Sequence, residues 1–65
     1  MAKTVPVTLY FVEAEINGEW HEVIDKGQQV FDTLEEARKL SAEIEEVDKH
    51  KTQIIRITGV AEVLA

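Results

Sequence analysis

The sequence predicts an α+β domain of ββαβ type: a three-stranded antiparallel sheet in the order 2-1-3, with one helix packed on one face. Three observations carry this. Asn17-Gly18, two residues that tolerate positive φ, stands between stretches rich in β-branched and aromatic residues and marks a two-residue hairpin. Thr33-Leu34-Glu35-Glu36 has the form of a helix start and leads into apolar residues at spacings of three and four. An isoleucine-rich run, Gln53 to Thr58, then supplies a third strand ended by Gly59.

Residues 1–6 read as a short arm, because Pro6 lacks the N–H that a central strand donates to its ladder. Strand 1 is expected over 7–16 and strand 2 over 19–25, followed by the polar loop Lys26-Gly27-Gln28-Gln29; Val30-Phe31 then returns the chain toward the core. The helix is expected over 33–48. Its Thr33 hydroxyl caps the Glu36 amide while Glu36 reaches back, and Leu34, Ala37, Leu40, Ile44 and Val47 form one apolar stripe. Lys49, His50 and Lys51 place positive charge where a helix C-terminus favours it. Strand 3 is expected over 53–58, and residues 60–65 form an apolar tail that extends it or docks elsewhere. The helix is long enough to cross over the sheet, which leaves strand 1, the most apolar segment, in the middle.

Composition narrows the function classes. A chain of 65 residues is one small domain, burying about 60% of its unfolded surface. It has no cysteine, so disulfides, thiolate metal sites and a cysteine nucleophile are excluded. Thirteen acids against seven bases give a net charge of −6, which opposes direct nucleic-acid binding and docking on anionic membranes. With no long apolar run and no signal-peptide pattern, the chain reads as soluble and cytoplasmic.

The hairpin register is where the sequence becomes informative. A two-residue turn at Asn17-Gly18 sets Ile16 opposite Glu19, Glu15 opposite Trp20, Ala14 opposite His21 and Glu13 opposite Glu22, with Val12–Val23 and Phe11–Ile24 beyond. One face then carries Tyr10, Val12, Ala14, His21 and Val23; the other carries Leu9, Phe11, Glu13, Glu15, Trp20, Glu22 and Ile24. Three carboxylates cannot be buried under a helix without partners, so the Val12 face is expected to meet the helix together with Ile55 and Ile57. The opposite face is expected to stay open, with Ile54 and Arg56 projecting onto it from strand 3. An apolar patch with a tryptophan anchor and a charged border is the composition of a partner-binding surface. Leu9, Phe11, Glu13, Glu15, Trp20, Glu22, Ile24 and Arg56 are therefore the candidate partner-binding residues.

Nothing in the sequence assembles a catalytic, cofactor or metal site. His21 and His50 are the only histidines, and neither stands at a recognisable spacing from an acid and a nucleophile. Glu13 and Glu22 form a cross-strand carboxylate pair, which reads more simply as part of an acidic patch than as a cation site. Gly18, Gly27 and Gly59 are scattered rather than gathered into a phosphate loop. The expectation is a non-enzymatic protein without cofactor.

The stretch Asp32-Thr33-Leu34-Glu35-Glu36-Ala37, the helix after it, and Ile54-Ile55-Arg56-Ile57 resemble the small phage-encoded ββαβ proteins that inhibit host enzymes, the coliphage inhibitor of host RNA polymerase being the type. The resemblance covers the helix and the third strand. It implies a phage or prophage protein that acts by occupying a surface on a larger host enzyme. In that type, arginines alternating on the last strand contact the polymerase; Arg56 matches the first, and Thr58, uncharged, stands at the second.

The sequence thus points to an interaction module binding another protein through its open sheet face. Two alternatives accompany it. One is a homodimer formed by the open faces or by a strand edge. The other is an acidic mimic of nucleic acid that binds a basic nucleic-acid-handling protein.

Overall fold

Asn17 and Gly18 take φ of 53° and 84°, the left-handed pair that a type I′ turn requires, and the chain folds back on itself there. A computed structural model describes residues 3–64; Met1, Ala2 and Ala65, the ends of the expected arm and tail, lie outside the described residues. The strands are β1 (Lys3–Ile16), β2 (Glu19–Glu22) and β3 (Thr52–Val63), forming one antiparallel sheet in the order β2-β1-β3. Between β2 and β3 run α1 (Leu34–Glu43) and a π-helical extension, Ile44–Asp48. The ββαβ arrangement is the one the sequence predicts.

Both long strands exceed their expected bounds, and Pro6 explains how. Tyr10 donates its N–H to the Phe31 carbonyl and accepts from the Phe31 N–H, while Glu15 donates to Lys51. Even-numbered residues of β1 therefore turn their backbone groups away from β3 and odd-numbered residues turn them toward it. Pro6 is even. Its missing N–H falls on the outer side, so the ladder to β3 continues past it from Val7↔Gly59 to Lys3↔Val63. Residues 3–6 and 60–63, expected as arm and tail, thus pair with each other.

Strand β2 is shorter than expected, ending at Glu22 rather than residue 25. The Val23 N–H still donates to Val12, but Asp25 and Gln28 then close a tight turn with Lys26 and Gly27 at positive φ. The chain returns so that Phe31 takes the place beside Tyr10.

The helix starts as its signals indicate. Thr33 is extended and its Oγ1 accepts the Glu36 N–H at 3.2 Å. The Glu36 carboxylate accepts from the Thr33 hydroxyl at 2.9 Å, closing the box side chain to side chain. Ala37, Leu40 and Ile44 are buried, but Val47, expected on the same stripe, is 70% exposed. The π turn is underwound by its i→i+5 bonding, so three residues beyond Ile44 the chain has not come round to the sheet. Lys49 ends it in the left-handed conformation, φ 60°.

The core is Val12, Ala14, Phe31, Ala37, Leu40 and Ile44, with Tyr10, Val23 and Ile54 packed against it. At the helix end of β3, Thr52 Oγ1 donates to Glu45 at 2.5 Å and bonds Ser41 Oγ. The body is long and narrow, 49 × 21 × 17 Å. Among the described residues no helix is long and apolar enough to cross a membrane.

Candidate docking face

The β1–β2 register is Glu13↔Glu22, Ala14↔His21, Glu15↔Trp20 and Ile16↔Glu19, as the turn predicts. Side chains of antiparallel partners share a face, so Glu13, Glu15, Trp20 and Glu22 lie together. Val12 and Ala14 belong to the helix-covered core, which places these four on the opposite side. Leu9 and Phe11, on the same parity of β1, lie there too.

The β1–β3 register changes the rest of the set. It pairs Tyr10 with Arg56, Val12 with Ile54, Phe11 with Ile55 and Leu9 with Ile57. Arg56, expected among the open-face residues, is on the helix side instead, its guanidinium 5.7 Å from the centre of the Tyr10 ring. Ile54, also expected on the open face, packs against the core. Ile55 and Ile57, expected beneath the helix, face outward beside Phe11 and Leu9. The physical reason is that a two-residue turn dictates register whereas a helical crossover does not, and a shift of one residue exchanges every side chain between faces. Ile24 is the other correction. It follows the end of β2, has no partner on β1, and is 58% exposed rather than opposite Phe11.

The open face therefore has two zones. The apolar zone is a double row, Val5, Val7, Leu9 and Phe11 on β1 beside Ile55, Ile57, Ala61 and Val63 on β3. Cross-strand contact half-buries Leu9, Phe11 and Ile55, but no residue of the row is fully buried. The acidic zone lies at the hairpin end, with Trp20, 42% exposed, beside its carboxylates. Glu13 accepts from Gln53 Nε2 at 2.6 Å and Glu22 from Gln29 Nε2 at 3.4 Å. Both partners are neutral amides. Among the described residues no lysine or arginine lies within 4.0 Å of a carboxylate, and the one histidine contact is His21–Glu19, at 3.6 Å and exposed, so no cationic side chain touches the three carboxylates.

The residues that sequence reasoning missed, Ile55, Ile57, Val5, Val7 and Val63, carry a signal in hindsight. Odd-numbered apolar residues run without interruption along residues 5–11, a strand apolar on the face turned from its helix.

Comparison of the chain with protein-family models, curated proteins and solved structures gave no match.

Proposed function

We propose that this protein is a non-enzymatic interaction module whose open sheet face docks on a larger protein, one presenting an apolar patch bordered by basic residues. The observation that supports this most is the pairing of zones on that face: a double apolar row running into three carboxylates that no cationic side chain touches, with Trp20 among them. A solvent-facing sheet surface ordinarily alternates to polar residues, and an apolar surface of this extent with an aromatic anchor suits a partner. Glu13 and Glu22 stand directly opposite each other, a like-charge arrangement that costs folding stability and is most simply retained for recognition.

The likeness to phage inhibitors lends the mode of action, occupation of a surface on a host protein. It does not lend the target. Arg56 lies on the other face, and Thr58 is uncharged. The anchors in this reading are Trp20, Phe11, Leu9 and Ile57, and Glu13, Glu15 and Glu22 set orientation.

The test is affinity capture from the native source with the wild-type chain, Trp20→Ala, Glu15→Lys and, on the solvent side of the helix, Lys39→Glu. A protein retained by wild type and Lys39→Glu but lost with the two face variants supports the reading, provided that circular dichroism shows all four folded. Equal capture by all four removes it. Capture that collapses steeply with salt but is indifferent to Trp20→Ala would instead mark nucleic-acid mimicry.

A further inference from the structure

We propose that the outer edge of β3 pairs antiparallel with β3 of a second copy, in the register that sets Arg56 opposite Glu62 of that copy. The inference stands independently of the docking function, because it uses the strand edge and leaves the open face free.

Odd-numbered residues of β1 bond toward β3, and the register pairs them with odd-numbered residues of β3, such as Leu9 with Ile57 and Phe11 with Ile55. The even-numbered residues Ile54, Arg56, Thr58, Val60 and Glu62 therefore direct their N–H and C=O groups to the free edge. That edge runs unbroken from Thr52 to Val63, without proline and without a bulge in its twelve paired positions. Natural sheets blunt such edges. The outer edge of β1 is blunted by Pro6, whose missing N–H falls there; the edge of β3 is not.

The side chains then select the occupant and the register. Arg56 and Glu62 are the only charged residues on β3. In an antiparallel pair, outward-bonding residues must meet outward-bonding residues, so permitted registers shift the opposed residue by two. With the two-fold axis at Gly59, Arg56 faces Glu62 of the second copy and Glu62 faces its Arg56, while Thr58 faces Val60 and Ile57 faces Ala61. With the axis at Thr58, Arg56 meets Val60; with the axis at Val60, it meets Leu64. The strand is charge-complementary to itself in one register alone.

The shape of the domain agrees. Beyond the reach of β2 and the helix, residues 3–9 and 57–63 form a two-stranded ribbon on whose helix-side face Thr4, Pro6, Thr8, Thr58, Val60 and Glu62 are all exposed. Two-stranded ribbons are marginal in water. Pairing places this ribbon in the middle of a continuous sheet of twice the width, with the two helices on the same side at opposite ends. The two open faces become one.

The test uses the full chain, which has no cysteine of its own. Sedimentation velocity is expected to show a monomer–dimer equilibrium. Gly59→Cys is the register probe: a Cβ there meets nothing within 4 Å, and a non-hydrogen-bonded pair on the axis sets the two Cα atoms about 4.5 Å apart, within disulfide range. Gly59→Cys should oxidise to a covalent dimer, and Thr58→Cys, whose two copies are offset along the strands, should not. Arg56→Glu and Glu62→Arg should each raise the dissociation constant roughly tenfold at low salt, and the double exchange should restore it. A strict monomer at millimolar concentration overturns the proposal. So does a dimer in which Thr58→Cys cross-links in preference to Gly59→Cys, or one whose double exchange is no tighter than the singles.

Discussion

Replacing Glu22 by lysine isolates the energetic consequence of gathering acids on one face. Glu22 faces Glu13 across the hairpin in a non-hydrogen-bonded pair, the geometry in which antiparallel side chains approach most closely. Glu15 is its diagonal neighbour. Glu13 is held in place by the Gln53 amide at 2.6 Å, so its carboxylate does not swing away from a changed partner. Cross-strand charge pairs are worth about 0.2–1 kcal/mol, and the substitution turns one repulsion into an attraction. The lost contact to Gln29, at 3.4 Å, is near the limit of a hydrogen bond and subtracts little. With exposure and screening taken into account, Glu22→Lys should stabilise the domain by about 0.5–1 kcal/mol, raising Tm by roughly 3–6 °C for a chain this small. Thermal unfolding by circular dichroism in low-salt buffer measures it, and the gain should shrink in ~1 M salt, where the Debye length is about 3 Å. The same variant should lose affinity for the docking partner. A Tm that falls, or a gain that survives high salt, would refute the electrostatic reasoning.

Substitutions at two further positions probe the frame that holds the face. Phe31→Ala empties a core position that is 5% exposed, and should destabilise by about 3–5 kcal/mol, enough to leave much of a domain this size unfolded in a urea titration. Thr33→Ala removes the cap that receives the Glu36 N–H and should lower stability by about 1 kcal/mol; Thr33→Asp should retain most of it in the same assay.

How much of this was legible depends on what fixes each feature. The Asn17-Gly18 turn sets the β1–β2 register within two residues, so the positions of Glu13, Glu15, Trp20 and Glu22 follow from sequence. Thr33 and the apolar spacing likewise announce the helix. The β1–β3 register has no such local determinant, because the crossover leaves both parities open, and Arg56 and Ile54 lie on the face opposite to the one their sequence context suggests. Pro6 is a similar case: a missing N–H breaks a ladder on one side of a strand only, and which side is a tertiary fact. The departure of the chain after Val23, which strands Ile24 in solvent, depends on Phe31 returning to Tyr10 and on the tight Asp25–Gln28 turn. Val47 left its stripe because the last turn is wound as a π-helix, a feature that spacing alone does not encode.

Trp20 is the only tryptophan, and it stands on the open face within the acidic zone, opposite Glu15. Labelled as 5-fluorotryptophan, it gives a single fluorine resonance that reports on the open face alone. Titrating the labelled chain with its captured partner should shift or broaden that resonance in step with complex formation. A resonance that stays in place while binding goes to saturation would contradict the claim that this face is the docking surface.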